Sequence, residues 1–365
     1  MKTEDIKKAL RKKTKQKKLT GKDFLSTGST LLNCAITGDP NNGFAKGHYY
    51  FIVGDSVSGK TWLSLTCLAE AALSPHFKNY RFIYDNAEDG ALMNIEKFFG
   101  KEVARRMQPP NWLRDAPLFS ATIEEFYYNV DTALRNALDV HGTPFIYILD
   151  SMDSLSSEPE TEKFDANKKA YEKGKEAKGS YGDGKAKINS SNIRRLLSPL
   201  KKSGSILIIL NQTRDNIGAM PFQPKKTRSG GHALKFYACV ELWSSTVEKI
   251  KKTIRGKKRQ LGIRCKIQIK KNRITGRERS VEIPIYHSFG IDDVGSCIDY
   301  LLEEEHWKKS NAIINAKDFD FKGSRRKLIK HIEKENLEKD LRELVSDVWN
   351  EIEEACQIER KPRYE

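Results

Sequence analysis

Eight consecutive residues carry the most specific chemistry in the chain. They place two glycines, a lysine and a threonine at the spacing GxxxxGK[ST], and they are Gly54, Asp55, Ser56, Val57, Ser58, Gly59, Lys60 and Thr61. Glycines let a backbone wrap an anion closely, so that its N–H groups and the positive end of the next helix face phosphate oxygens. At this spacing Lys60 reaches the β- and γ-phosphates of a nucleotide, and the Thr61 hydroxyl joins a magnesium shell. A chance match is the alternative, but the apolar run before the segment and the helical pattern after it favour a phosphate site.

Carboxylates at the ends of apolar runs could complete this chemistry. Asp150 ends the run IYILDS and is predicted to hold the magnesium ion through its water shell. Glu88, in YDNAEDG, is the best-placed side chain to orient an attacking water. Asp85 and Asp89 are rivals for that role, and any of the three could instead cap a turn or a helix.

Alternating strands and helices must position these residues. Four apolar runs predict β-strands, at residues 48–54, 81–88, 143–151 and 205–212. Two helical patterns lie at residues 61–73 and 122–139. This alternation indicates a mostly parallel sheet covered on both faces, with ligands beyond the carboxyl ends of its strands.

The remaining segments differ in composition. Residues 156–190 are poor in aliphatic side chains and predict a long mobile loop. Residues 238–286 alternate around the basic turn TIRGKKRQ and predict antiparallel strands, and residues 249–279 hold fourteen Lys or Arg with Glu278 as the single acid. From about residue 311 a helical pattern predicts a small appendage. Its apolar stripe, a core surface in the simplest interpretation, is Leu328, Ile332, Leu337, Leu341, Leu344, Val348 and Ile352.

The overall charge favours a polyanionic partner. The 365 residues carry a formal charge of +16, which suits nucleic acid but does not by itself exclude a membrane surface. No apolar run approaches the roughly 20 residues that cross a bilayer, and the amino terminus lacks the apolar stretch of a signal peptide. We therefore expect a soluble, cytoplasmic protein with reduced cysteines. Residues 1–18 form a basic arm that is either a frayed terminus or a contact for DNA or another subunit.

Taken in order, these motifs resemble the RecA family of recombinases. LSTGSTLLNCAI resembles the family's approach to the core, GDSVSGKT its phosphate loop, DNAE its catalytic carboxylate and YILDSMDSL its Walker B strand. ILIILNQTRDNIGAM followed by RSGGHALKFYACVELW is similar to the family's sensor glutamine, second DNA-binding loop and following helix. Phosphate-loop ATPases in general do not share that combination. The resemblance covers roughly residues 26–290.

The resemblance implies an α/β fold with a RecA-type phosphate-loop ATPase core, a mostly parallel central sheet and a small helical carboxyl-terminal domain. The implied division is a basic arm at 1–25, the core at 26–300 and the helical domain at 301–365. DNA-binding loops are expected at about 156–190 and 213–231.

The resemblance also assigns roles in ATP hydrolysis. Gln212 would sense the γ-phosphate and pass its state to the loop that begins at Thr213, although a glutamine that caps a strand is the alternative. Lys271 and Arg273, in the motif KKNR, would act on the γ-phosphate held by an adjacent subunit, although a solvated basic strand would look the same. Lys235 and Phe236 match the family's subunit-interface segment.

The resemblance makes nine residues candidate DNA contacts: Ser190 and Arg194 match positions that touch the DNA backbone, and four cations of the second loop offer phosphate contacts. Ile217 falls where the family inserts an aliphatic wedge between base triplets, and two glycines permit close backbone approach to a strand. The full set is Ser190, Arg194, Arg214, Ile217, Lys225, Lys226, Arg228, Gly230 and Gly231.

The implied function is an ATP- and Mg²⁺-dependent recombinase that forms a helical filament on single-stranded DNA and exchanges strands with homologous duplex. Single-strand-binding and mediator proteins are the implied partners, in the cytoplasm of a cell or of a viral host. Leu92 and Ile95 stand where bacterial members contact adenine with polar and aromatic residues, so the chain resembles a divergent member of the bacteriophage UvsX kind. A RecA-fold helicase and a regulatory DNA-binding ATPase without strand exchange are the alternatives.

Overall fold

The computed structural model describes residues 19–173, 184–215, 226–228 and 231–360. The described strands are β1 (Phe24–Leu25), β2 (Phe44–Ala45), β3 (Tyr49–Gly54), β4 (Arg81–Asp85), β5 (Met107–Gln108), β6 (Asn111–Leu113), β7 (Ala116–Leu118), β8 (Phe145–Leu149), β9 (Ile206–Asp215), β10 (Lys226–Arg228), β11 (Val240–Ile254), β12 (Lys257–Asn272), β13 (Ser280–Tyr286), β14 (Gly290–Ile291), β15 (Lys308–Ser310), β16 (Ile313–Ala316) and β17 (Phe321–Gly323). The described α-helices are α1 (Thr30–Thr37), α2 (Lys60–Leu73), α3 (Ile95–Phe99), α4 (Lys101–Arg106), α5 (Ile123–Leu138), α6 (Glu158–Glu172), α7 (Lys185–Ser203), α8 (His232–Tyr237), α9 (Asp293–Glu303), α10 (Arg325–Glu335) and α11 (Glu338–Ala355).

Among the described residues, ten strands form one central sheet. Strands β11, β3, β9, β8, β4 and β5 lie side by side in that order, each parallel to its neighbour. Strands β12, β13 and β14 extend the sheet in antiparallel fashion beyond β11, and β10 pairs with the end of β9. The predicted α/β class with a mostly parallel sheet is confirmed, as are the four predicted strands and the antiparallel segment.

Helices cover both faces of this sheet because its strands are apolar on both sides. All six residues of β3 are buried, and successive residues contribute to different clusters: Tyr50 and Ile52 pack with α1 and α2, whereas Tyr49 and Phe51 pack with α5 and α7. This two-residue alternation is the periodicity of an extended strand. All phosphate-binding candidates therefore follow strands that are fixed by a core on each side.

The predicted long loop at 156–190 is wrong over most of its described length. Residues 158–172 form α6, which begins at a capping box: the Ser157 side chain accepts from the Glu160 backbone N–H, and the Glu160 carboxylate accepts from that of Ser157. No residue of α6 is buried. Low aliphatic content suits an exposed helix as well as a loop, and the capping box was the signal that distinguishes the two.

The end of the chain contains strands that the sequence did not predict. Residues 308–323 include β15, β16 and β17, which form a separate three-stranded antiparallel sheet before α10 and α11. These strands are three or four residues long, too short for a clear alternation. The stripe predicted on α10 and α11 is a core surface, since Leu328, Ile332 and Leu341 are buried in the same cluster as the central sheet. None of the described helices is long and apolar enough to cross a bilayer.

Candidate nucleotide-binding site

The phosphate loop lies between β3 and α2, at the carboxyl edge of the parallel sheet. Gly59 has φ of 85°, and a Cβ atom built there would lie 2.5 Å from Ile285 Cδ1, so both the backbone angle and the space require glycine. The loop then enters the 14-residue helix α2, whose first N–H groups and dipole attract anions. The segment thus has the form of a phosphate cradle.

Lys60 lies against this loop. Its side chain is buried, and its Nζ donates to the carbonyl oxygens of Gly54, at 3.0 Å, and Asp55, at 2.7 Å. Burial lowers the pKa of Lys60, while the nearby carboxylates of Asp150 and Glu88 oppose that shift. A phosphate oxygen would offer the ammonium a stronger acceptor than these neutral carbonyls.

Thr61 and Asp150 meet beside the loop. The Thr61 hydroxyl donates to Asp150 Oδ2 at 2.7 Å, and the Tyr84 hydroxyl donates to the same oxygen at 2.8 Å. Hydroxyl and carboxylate oxygens are ligands that Mg²⁺ accepts directly or through water. Within the described residues no group of three His, Cys, Asp or Glu side chains could hold a metal ion. The residues present therefore fit a magnesium ion whose remaining ligands are phosphate oxygens and water.

Glu88 and Gln212 are joined next to this pair. Gln212 Nε2 donates to Glu88 Oε1 at 2.8 Å, and the Ser151 hydroxyl donates to the same oxygen. The Glu88 backbone N–H donates to the Asp150 carbonyl at 3.0 Å, which holds the two acidic positions side by side. Four residues that the sequence placed in separate motifs, Lys60, Asp150, Glu88 and Gln212, thus converge at one edge of the sheet.

The rival carboxylates lie elsewhere. Asp85 is fully buried and accepts hydrogen bonds from the Ser120 backbone, at 2.9 Å, and from the hydroxyls of Ser120 and Tyr147, both at 2.6 Å. Burial raises the pKa of Asp85 against the effect of these bonds. Asp89 is exposed in a turn, where its N–H donates to the Asn86 carbonyl at 3.0 Å. Asp85 therefore ties β4 to the segment before α5 and has no free position for a water.

An interaction that the sequence did not predict connects the phosphate loop to β9 and β10, the two strands on either side of residues 216–225. Asp55 accepts one hydrogen bond from the Thr213 hydroxyl, on β9, and forms an ion pair with Lys226, on β10. Burial opposes ionisation of Asp55, but the bonds from Lys226 and Thr213 outweigh it and lower the pKa of the carboxyl. The only sequence signal was an acid inside an anion-binding loop.

Lys271 and Arg273 lie away from the phosphate loop of their own chain. Lys271 Nζ donates to the carbonyls of Lys235, at 2.8 Å, and Phe236, at 2.6 Å, and Arg273 Nη2 donates to that of Phe236 at 2.7 Å. The strand register places Asn272 opposite Val240, which pairs with Tyr50 near the start of β3. The phosphate loop follows Gly54, four residues or about 13 Å further along that strand.

The candidate DNA contacts are only partly described. Ser190 and Arg194 lie on α7, where Arg194 Nε donates to the Ser190 carbonyl at 2.9 Å. Arg214 Nη2 lies 3.6 Å from Asp153 Oδ1. Gly231 has φ of 82°, and a Cβ atom built there would lie 2.8 Å from Ala186 Cβ on α7, so this position requires glycine. Three candidates, Ile217, Lys225 and Gly230, lie outside the described residues, and Arg228 is described by its backbone in β10.

The fold and this site define a class of protein: a phosphate loop that joins a central parallel strand to a helix, with an acid at the end of a neighbouring strand, is typical of phosphate-loop ATPases. The family profile of the RecA N-terminal domain matches residues 168–292. Protein RecA of Chlorobaculum tepidum is 30% identical over 293 residues, which cover 79% of this chain and 72% of the relative. The chain belongs to the RecA family.

Two further relatives agree with this assignment. Protein RecA of Nitratiruptor sp. is 28% identical over 337 residues, which cover 91% of this chain and 84% of the relative. Protein RecA of Cytophaga hutchinsonii is 30% identical over 287 residues, which cover 76% of this chain and 68% of the relative. The family predicted from the motifs is confirmed, whereas the bacteriophage subtype stays a prediction.

Proposed function

We propose that the protein is an ATP-dependent DNA recombinase that forms a helical filament on single-stranded DNA and catalyses homologous pairing and strand exchange. The observation that carries this proposal is the hydrogen bond between Gln212 and Glu88 at 2.8 Å. Gln212 is on β9, the strand that continues through Thr213 into the second DNA-binding loop. One amide therefore connects the carboxylate proposed to activate water with the segment proposed to bind DNA.

In this proposal each site residue has a role that its position supports. Bound Mg²⁺-ATP supplies the phosphoryl group for hydrolysis. Lys60 binds β- and γ-phosphate oxygens, and Thr61 and Asp150 hold the metal shell. Glu88 orients a water and accepts its proton, while Gln212 exchanges its bond to Glu88 for one to the γ-phosphate and shifts β9 as it does so.

Assembly completes the site in this proposal. Lys271 and Arg273 lie about 13 Å along the strand direction from the start of their own phosphate loop, too far for contact within one chain. Phe236, 62% exposed, lies beside both cations, with its ring centroid 5.8 Å from Lys271 Nζ and 5.9 Å from Arg273 Cζ. An exposed aromatic ring with adjacent cations suits a subunit interface.

The finer predictions also stand as proposals. We retain the division into an arm at 1–25, a core at 26–300 and a carboxyl-terminal domain at 301–365. The separate sheet of β15–β17 supports a distinct carboxyl-terminal part, whereas the boundary at 300/301 falls within α9, and α11 packs against α9 and α1 of the core. The bacteriophage, UvsX-like subtype is also retained as a proposal, because Leu92 and Ile95 stand where bacterial members have polar and aromatic residues. Single-strand-binding and mediator proteins in the cytoplasm are the proposed partners.

The direct test is ATP hydrolysis with and without single-stranded DNA, together with electron microscopy of the same mixtures. We expect hydrolysis to rise with DNA and helical filaments to depend on nucleotide. Closed rings that unwind duplex would instead indicate a helicase. DNA binding without strand exchange would indicate a regulatory ATPase.

Ile217→Ala tests the proposed wedge directly. We expect strand exchange to fall by about ten-fold or more, because unstacking a base step costs a few kcal/mol that the wedge must offset. ATP binding should stay at the wild-type level, since the phosphate-site residues are unchanged. Exchange is measured by transfer of a fluorescent strand, with Ile217→Val as the control that keeps a branched side chain. Wild-type exchange by Ile217→Ala would remove the wedge from the mechanism.

Asp55→Asn tests the link between the phosphate loop and the second DNA-binding loop. The amide keeps the shape of the side chain but releases Lys226 from its ion pair, so one more cation is free for DNA. Without nucleotide, we expect single-stranded DNA to bind about five-fold more tightly near 0.1 M salt. The gain should disappear in Asp55→Asn/Lys226→Met and be absent in Asp139→Asn, which removes an exposed acid that forms no ion pair with the described residues. A gain that persists in the double variant would show that Lys226 is not its source.

A further inference from the structure

A carboxylate is buried beside the two cations proposed to act on an adjacent subunit. Glu241 lies on β11, and its side chain is fully buried. In the sheet it pairs with Phe51 on β3 and with Lys271 on β12, and residues that lie directly opposite in a sheet have neighbouring side chains. A buried carboxylate is costly unless donors or cations compensate its charge, so its partners show why the position holds an acid.

Donors from β11 and from α8 reach this carboxylate. Trp243 Nε1 donates to Glu241 Oε1 at 3.0 Å, and Lys235 Nζ lies 3.9 Å from Oε2. Lys235 is on α8, and its carbonyl and that of Phe236 accept hydrogen bonds from Lys271 Nζ. Glu241 and Lys271, on neighbouring strands, therefore hold the same end of α8.

The pairing of β11 with β12 is irregular at this position. Glu241 pairs with Lys271, but the next residue, Leu242, pairs with Ile269, so that Lys270 is an extra residue in β12. A bulge of this kind bends the strand locally and changes the direction of the adjacent side chains. The irregularity thus lies directly beside the cation that the carboxylate faces.

We propose that Glu241 is a positioning residue for the interface cations: it keeps Lys271 charged and in place beside α8 until a neighbouring subunit presents a γ-phosphate. Glu241 itself touches no nucleotide in this proposal and acts through Lys271. The carbonyls that Lys271 contacts are neutral, so a phosphate oxygen would replace them as the stronger acceptor. The inference rests on the proposed function and deepens it, because it names the group that prepares one subunit to complete its neighbour's site.

The charges around Lys271 show why this acid is needed. Burial and then Arg273 lower the pKa of Lys271 to about 8, and Lys235 on α8 acts in the same direction. Glu241 and the Cys239 thiol oppose that shift. Burial raises the pKa of Cys239 to about 11, so the thiol is neutral near pH 8. At that pH the opposing negative charge comes from Glu241.

The first test measures the charge of Lys271 without nucleotide or DNA. Competitive acetylation of the full chain over a pH series, followed by mass spectrometry, gives the pH midpoint of this lysine. Glu241→Gln keeps the size of the side chain and an acceptor for Trp243 but removes the charge. We expect the midpoint to fall by about one pH unit or more, the lower end of the effect of an adjacent opposite charge.

Two further variants control for charge and for position. Glu241→Asp keeps the carboxylate but withdraws it by one methylene group, so the midpoint of Lys271 should fall by less than in Glu241→Gln. Glu278→Gln neutralises an exposed acid in the segment between β12 and β13 and should leave the midpoint unchanged. Thermal unfolding confirms that each variant folds.

The second test is DNA-stimulated hydrolysis between pH 6 and 9. With a midpoint one unit lower, Glu241→Gln should hydrolyse ATP almost as fast as the wild type near pH 6 and about five-fold more slowly near pH 8. Glu241→Gln/Lys271→Arg should lose this dependence on pH, because arginine stays protonated. A purely structural role for Glu241 would instead reduce hydrolysis equally at both pH values.

An unchanged midpoint in folded Glu241→Gln would overturn the inference, and so would an equal loss of hydrolysis at pH 6 and pH 8. If Glu241→Gln does not fold, Glu241→Asp decides, and a midpoint equal to that of the wild type would overturn the inference. A wild type whose hydrolysis does not respond to DNA would count against the proposed function, whereas the midpoint of Lys271 would still test the role of Glu241.

Discussion

Glu88→Gln is expected to bind ATP and single-stranded DNA but to hydrolyse ATP about 10²- to 10⁴-fold more slowly, the usual loss when a positioned general base is removed. The glutamine retains a side-chain oxygen that can accept from Gln212 and Ser151, which both donate to Glu88 Oε1. The network that holds β9 beside the phosphate loop therefore survives. Only the capacity to accept a proton from water is lost.

Single-turnover hydrolysis on preformed DNA complexes measures this effect, with nucleotide affinity determined in parallel. Asp89→Asn is the matched control, since it neutralises the adjacent carboxylate, which is exposed in the same turn. We expect near-normal hydrolysis from Asp89→Asn. Rapid DNA-stimulated turnover by Glu88→Gln would exclude Glu88 as the base, and loss of nucleotide binding would assign it a structural role instead.

The site could be predicted as far as it depends on strand ends. Lys60, Thr61, Asp150 and Glu88 follow or flank strong apolar runs, and the carboxyl ends of parallel strands share one edge of the sheet. The sequence alone could not decide whether Asp85 or Glu88 orients the attacking water. Asp85 ends β4 and Glu88 follows three residues later, and only the positions of Ser120 and Tyr147 show that Asp85 already accepts hydrogen bonds within the core.

Contacts between distant segments could not be predicted from the sequence, for a different reason. The pairing of Asp55 with Thr213 and Lys226 depends on how the end of β9 is placed against the phosphate loop, and no local pattern encodes that placement. Exposed elements were also missed. Helix α6 has no buried residue, and in β15–β17 only Ile314 and Ala316 of the four-residue strand β16 are buried, so the periodicity that identifies core elements is absent from α6 and too short to recognise in these strands.

Lys271→Ala/Arg273→Ala is expected to reduce DNA-stimulated hydrolysis by about 10³-fold, within the range seen when a cation is removed from a transferring phosphoryl group. Both side chains donate to carbonyls at the end of α8, so the loss could in principle come from a disturbed helix. A mixing experiment separates the two explanations. An inactive chain with intact cations, Glu88→Gln, is combined with the inactive double variant.

In a head-to-tail filament, about one quarter of the sites in an equal random mixture combine an intact Glu88 from the double variant with intact cations from Glu88→Gln. We therefore expect about one quarter of wild-type hydrolysis from two chains that are each inactive. No recovery, with normal thermal unfolding and filaments in the mixture, would show that the cations act within their own chain or only cap α8.

The charge of Lys271 gives an independent check. Burial, together with repulsion from Arg273, lowers the pKa of Lys271 from 10.5 to about 8, while Glu241 opposes this shift and Lys235 adds to it. If its charge is needed, wild-type hydrolysis should fall as the pH rises above about 8, and Lys271→Arg should resist that fall because arginine stays protonated.

The effect of this lysine on protein stability has the opposite dependence on pH. Between about pH 8 and 10.5 the unfolded chain binds more protons at this lysine, so its contribution to the free energy of unfolding rises with pH. Unfolding linked to Lys271 cannot then explain a loss of hydrolysis in that range, and equal pH profiles for the wild type and Lys271→Arg would show that the charge of this lysine is not used.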